Sequence, residues 1–225
     1  LNMDNVRFQI ASNLLIDAFF DLSGTIDSMF YIFGLGNPGE KYNGTRHNIG
    51  RAAVEHIFAE GSFSDWNRSK SAQALYAWGS IAGAEVELVL PETFMNRSGD
   101  SVRYVVDKHQ ALVDNIIVIH DDIDLPFGAV RVAQGRGAGG NNGVQSIIDR
   151  LGSKNFVRIR IGIAPTSFWT GEVKRPSGGG PLERFVLKKF SGKEQKSLVG
   201  VFDTVEVAVK SIMTDGVDKA MNKIN

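Results

Sequence analysis

Short apolar runs at 29–35, 72–81, 85–90, 115–120, 129–133 and 157–163 alternate with segments of helical periodicity at 47–60, 98–109, 141–151, 191–213 and 215–223. The side-chain repeat of a strand and that of a helix cannot share one element, so the chain is confined to strands interleaved with helices. A layered α/β arrangement is the class that buries both kinds of face. Gly83-Ala84 between two strand-like runs predicts a hairpin, which makes the sheet mixed. The expected fold is therefore a single α/β domain over 29–225, with a twisted mixed (mostly parallel) β-sheet flanked by helices. With 225 residues, 43% of them hydrophobic, the chain has enough apolar material for one such core.

Residues 1–28 stand apart. They are amphipathic and carry Asp4, Asp17, Asp21 and Asp27 against Arg7 alone, a net charge of −3. A mitochondrial transit peptide is basic and poor in acids, and a secretory signal needs a basic leading end, so neither fits. The segment reads as an N-terminal extension of uncertain origin that carries no chemistry, with Met29 a candidate initiator. The chain has no cysteine, which excludes disulfides and thiolate zinc sites and makes a reducing compartment the natural expectation. No apolar run approaches the ~20 residues that span a bilayer.

Four strand-end loops hold the residues able to do chemistry. The first, Gly34 to Gly50 (GLGNPGEKYNGTRHNIG), contains more turn formers than a connection needs. Gly34, Gly36 and Gly39 match GxGxxG after a strand. Pro38 removes an amide, however, the helix is delayed past Thr45, and no acidic residue stands at the ribose-binding distance, so the dinucleotide reading is weak. His47 is either a polar residue near a helix start, with Thr45 a possible N-cap, or a general base. The second, His120-Asp121-Asp122-Ile123-Asp124-Leu125-Pro126, ends the strand at 115–120. Its carboxylates invite a Mg²⁺ reading, but Asp121 and Asp122 point to opposite faces of a strand and cannot share one ion unless a turn has begun. The alternative is that Asp121 orients a histidine elsewhere. The third, Gly135 to Gly143 (GRGAGGNNG), precedes a helix and suits anion reception, yet lacks the Lys-Ser/Thr ending of a nucleotide P-loop. The fourth is Thr93 to Gly99 (TFMNRSG), where Ser98 is a candidate N-cap; with no G-x-S-x-G, a serine nucleophile has no support. Pro165 to Pro181 reads as a mobile loop.

In open α/β sheets such loops converge on a crevice at the carboxyl edge of the strands. Together they offer a histidine, an orienting carboxylate and several amides, a set suited to hydrolysis by an activated water. Nearby, 131–160 holds six basic residues against Asp149, a local excess of +5 that is either a solvated face or a phosphate-binding one.

GLGNPGEKYNGTRHNIG, ETFMNRSG, IHDDIDLPFG, GAGGNNG and FVRIRIGI occur here in the order that resembles bacterial-type peptidyl-tRNA hydrolase, over essentially all of 30–225. The resemblance implies a monomeric cytoplasmic α/β enzyme, without cofactor or metal, that cleaves the ester of peptidyl-tRNA in ribosome rescue. It implies that His47 is the base and Asp121 the carboxylate that orients it. Asn37, Asn96 and Asn142, with Tyr42, would bind the substrate, and Met95 would line the peptide channel. Arg160 resembles one half of a clamp on the tRNA 5′-phosphate, recognition of the acceptor stem and 3′ end being by shape and backbone. Three departures stand out: Asn141 where the family usually has histidine, Ala138 where another histidine is common, and Ala133 at the second clamp position, leaving Arg131 or Arg136 to substitute. A competing reading is an RNA-binding relative that keeps the fold and works in splicing without catalysis. A metal-dependent phosphatase built on Asp121, Asp122 and Asp124 is a further, weaker one.

Overall fold

The computed structural model describes residues 29–167, 170, 172–176 and 178–225. The 1–28 extension lies outside the described residues, as does part of the expected mobile loop at 165–181. Seven strands form one sheet in the order β2-β3-β4-β1-β5-β7-β6. They are β1 (Phe30–Gly34), β2 (Asn67–Ser69), β3 (Ala74–Ile81), β4 (Ala84–Pro91), β5 (Ile116–Pro126), β6 (Val130–Ala133) and β7 (Val157–Ala164). The central strands β4, β1, β5 and β7 run parallel, while β3 and β6 are reversed. The expected hairpin joins β3 to β4, and its turn residues Ala82 and Gly83 take φ of 52° and 85°, as the tight primed turns of hairpins require.

The helices are α1 (Ile49–Glu60), α2 (Ser98–His109), α3 (Asn142–Leu151), α4 (Gly180–Val186), α5 (Gly192–Asp215) and α6 (Val217–Ile224). Strand alternation divides the core in two. Ile32, Ile117, Ile119 and Ile159 pack with Ile49, Val54, Val205, Ile212 and Ala220, so α1, α5 and α6 cover one face. Phe33, Ile116 and Val118 pack with Val102, Val105, Val144 and Ile147, so α2 and α3 cover the other. Apolar residues on both faces of the central strands are what a parallel sheet covered on both sides demands.

Three expectations need correction. β5 does not stop at 120 but continues to Pro126, pairing with β7 through Asp122 and again at Pro126 across a bulge. The helix expected from 47 is a 3₁₀ turn, Arg46–Asn48, followed by α1. The stretch expected as a loop to Pro181 already contains the start of α4, with Pro181 in its first turn, where its missing N–H costs nothing.

Candidate active site

The register Gly34↔Ile119 sets the end of β1 two residues before Asp121 on β5, which runs on beyond it, so the 34–50 loop and Asp121 meet where β1 ends. Leu35 N–H donates to the Ile119 carbonyl at 3.0 Å, and Arg51 N–H donates to the Leu35 carbonyl at 3.0 Å. These bonds fix the start of α1 against β5. The 3₁₀ turn just before α1 then carries His47 to Asp121, with Nδ1 at 2.9 and 3.0 Å from the two carboxylate oxygens. A carboxylate only accepts, so Nδ1 holds the proton and the neutral ring keeps its lone pair on Nε2. Burial disfavours the imidazolium; the Asp121 charge and hydrogen bond together outweigh it, so the His47 pKa is raised above its ordinary 6.5.

Asp121 itself is 4% exposed. Asn141 Nδ2 donates to its Oδ1 at 2.7 Å and to its backbone carbonyl at 3.2 Å. His120 Nδ1 donates to the same carbonyl at 2.8 Å. Burial pushes the His120 pKa down despite Asp121 and Asp122, so this ring is neutral and structural.

The asparagines divide into two kinds. Asn48 grips the backbone of Asn37 from both sides, Oδ1 accepting from the Asn37 N–H and Nδ2 donating to its carbonyl, each at 2.9 Å. Asn37 Oδ1 in turn accepts from the Met95 N–H at 2.8 Å, which locks the TFMNRSG turn to the first loop. Among the described residues the Asn37 Nδ2 group has no hydrogen-bond partner, and Asn37 lines the cavity. Asn96 and Asn142 are exposed at the same cavity.

That cavity has a volume of 680 Å³ and is lined by Asn37, Tyr42, His47, Met95, Asn96, Asp121 and Asn142, among others. The structure thus brings together all the predicted catalytic and substrate-binding residues. Met95 contributes only an edge, being 4% exposed and packed in the core. Exposed Phe94 meets Tyr42 edge to face at 6.4 Å, forming an aromatic rim. Reading the residues alone missed the remaining wall: Leu182, Glu183, Val186 and Leu187 from α4 and its end, and Arg175, whose Nη1 pairs with Asp124 at 2.6 Å. It also missed Arg46, which is buried beside His47 and holds both Glu194 oxygens at 2.8 Å and the Lys189 carbonyl at 2.8 Å. This tie binds the His47 turn to the segment that follows α4.

Both candidate caps fall. The Thr45 hydroxyl donates to the Tyr42 carbonyl at 2.7 Å and caps nothing. Ser98 is the first residue of α2, buried, with its hydroxyl beside the Met95 sulfur at 4.0 Å.

Arg131, Arg136 and Arg160 lie outside the cavity lining. Arg131 and Arg160 are direct partners across the β6–β7 ladder and therefore share a face, while Arg136 is exposed in the following loop. Arg160 Nε pairs with Asp122 at 2.6 Å. The three aspartates of β5 are thus committed separately, Asp121 to His47, Asp122 to Arg160 and Asp124 to Arg175. Among the described residues no group of three acidic or imidazole side chains is placed to hold a metal ion, and no helix is long and apolar enough to cross a membrane.

Residues 31–225 match the family model described as peptidyl-tRNA hydrolase. The peptidyl-tRNA hydrolase of Clostridium acetobutylicum is 40% identical over 198 residues, covering 88% of this chain and 98% of that protein. That of Syntrophotalea carbinolica is 36% identical over 197 residues, covering 88% and 97%. The crystal structure of the Acinetobacter baumannii peptidyl-tRNA hydrolase superposes with a TM-score of 0.77 at 34% identity, covering 88% of this chain and 94% of that one. The splicing alternative receives no support from these relatives. With the match running from β1 to the last helix, the chain belongs to the peptidyl-tRNA hydrolase family.

Proposed function

We propose that the protein hydrolyses the ester between peptide and tRNA with a water activated by His47. One observation carries this reading: the His47 ring is held at Nδ1 by Asp121, which leaves the basic Nε2 for a cavity edged by asparagine amides. In the proposed reaction Nε2 takes a proton from water, and the oxygen attacks the ester carbonyl carbon. The resulting oxyanion is met by the neutral Nδ2 groups of Asn37, Asn96 and Asn142, of which Asn37 is held in place by the Met95 N–H. Collapse breaks the bond to the ribose 3′-oxygen, which leaves with the proton from the imidazolium. Asp121 stabilises the charge on the ring between the two transfers. With no cysteine in the chain and Ser98 buried against Met95, water is the nucleophile this constellation accommodates.

On the same reading Tyr42 and Met95 contact the peptide side of the substrate. Arg160 with Arg131 and Arg136 receives phosphate at the 5′ end of the acceptor stem, beyond the cavity. A cytoplasmic monomer acting on peptidyl-tRNA in ribosome rescue, with residues 1–28 an extension outside the catalytic domain, completes the proposal.

The test is release of peptide from N-blocked aminoacyl-tRNA compared with free aminoacyl-tRNA. His47→Ala should lower kcat by about 10²–10⁴, the worth of a general base, and leave tRNA binding within a few-fold. Turnover by this variant at the wild-type rate rejects the assignment. Activity that persists in a strong chelator disposes of the metal-phosphatase reading.

A further inference from the structure

Asn141 is bound at both ends of its amide. Its Oδ1 accepts from the N–H groups of Gly143 and Val144 at 3.0 and 3.1 Å, capping α3. Its Nδ2 donates to Asp121 Oδ1 at 2.7 Å. The two sets of bonds fix which amide atom points where, since neither end can exchange roles: backbone N–H groups only donate and a carboxylate only accepts. The residue is 9% exposed and forms part of the cavity wall. A plain helix cap needs one acceptor atom and no reach toward a neighbouring strand. The second bond lands on the carboxylate that holds His47.

We propose that Asn141 is a positioning residue, which aims the Asp121 carboxylate at His47 and leaves His47 the single titrating donor to it. This rests on the reading of His47 as the base. Where the family usually has a histidine, the amide donates at every pH and never carries charge, so the contribution of this position to the field at Asp121 stays constant while His47 turns over its proton. The cap also places the N-terminal end of α3, with its partial positive charge, behind Asp121. Both effects keep that carboxylate an anion of fixed orientation.

The other charged groups around His47 are accounted for. Arg46, in its own turn, is paired with Glu194. Asp122 and Asp124 on β5 are paired with Arg160 and Arg175. His120 projects from the opposite face of β5, and Glu183 of α4 lies across the cavity. Asn141 is the group through which the Asp121–His47 pair can be altered with none of these replaced.

Two substitutions separate positioning from capping. Asn141→Ser retains a good N-cap oxygen but is too short to reach Asp121. It should lower kcat about tenfold or more, leave KM within twofold, and unfold at the wild-type temperature. Asn141→Asp also caps well, but sets a negative charge against Asp121. It should raise the His47 imidazole titration, followed by NMR, by about a unit and move the acid limb of the kcat profile with it. The chain has four histidines, so the spectrum of His47→Ala identifies the signal. Wild-type kcat and an unmoved His47 titration in both variants overturn the proposal. So does a loss of kcat that only tracks a lowered unfolding temperature. The titration needs no turnover, so it judges Asn141 even if His47→Ala stays active and the reading of the base itself fails.

Discussion

On His47 burial and Asp121 act in opposite directions, and Asp121 prevails. In the role proposed for it, His47 works as a base only while neutral, so its raised pKa means that activity should begin to fall, on acidification, at a pH above 6.5. The protonated pair contributes to folding stability below 6.5, and that contribution fades as pH rises through the raised value. Asp121→Asn removes the charge and leaves burial to act alone. The His47 titration should therefore move downward, the acid limb of kcat/KM should move with it, and kcat itself should fall as the ring loses its anchor. NMR titration with a pH–rate profile checks this; a His47 pKa that stays in place would assign the raising charge to another group. His47 and Asp121 were legible because a histidine and a carboxylate in turn-rich strand ends have few structural uses. Asn48 and Arg46 were not, because their roles depend on partners 11 and 148 residues away, the Asn37 backbone and Glu194. Asn141 stood out in the sequence only as a departure, since nothing local shows that one amide serves a helix and a carboxylate together.

The meeting of α1 with β5 depends on a residue without a side chain. Gly50 lies in the first turn of α1, and a Cβ there would fall inside contact distance of the Ile119 carbonyl oxygen and carbon, with the Leu35 nitrogen 3.0 Å away. All three obstacles are backbone, which cannot swing aside. In an open helix Gly→Ala stabilises by about 1 kcal/mol; here overpacking, about 1–3 kcal/mol or more, wins. Gly50→Ala should thus lower the unfolding temperature and, by lifting the preceding 3₁₀ turn from β5, lower kcat as well. A stabilised or fully active variant would show that the two elements have slack. Periodicity located most elements because their apolar faces are wide, as in β1, β4 and α1. It passed over β2, whose Asn67-Arg68-Ser69 is an edge strand of three polar residues with no buried face. It also stopped β5 at the first charged residue. Asp121 and Asp122 remain in the strand because each finds a partner on its own side, and no apolar pattern records that.

Charge is the property that only the assembled molecule displays. The formal net charge is zero, and the basic stretch 131–160 does not act as one patch. Arg158 is 2% exposed and donates to the Gly137 carbonyl at 2.8 Å, and Arg150 is held by Asp100 at 2.6 Å. What the ladder leaves together is Arg131 beside Arg160, with Arg136 in the adjoining loop, and Arg160 is tied to the cavity through Asp122 in its lining. Asp122 steadies Arg160 without burying it, its side chain being 26% exposed. A phosphate there would displace water from a guanidinium already aimed, at a distance from the ester that leaves the chemistry untouched. Arg160→Ala should accordingly raise KM several-fold, change kcat less than twofold, and reduce the slope of log affinity against log salt by about 0.7–0.9, the worth of one phosphate contact. The slope decides the matter: a merely structural arginine would weaken binding equally at every salt concentration, whereas a phosphate contact is lost from the salt-dependent part alone.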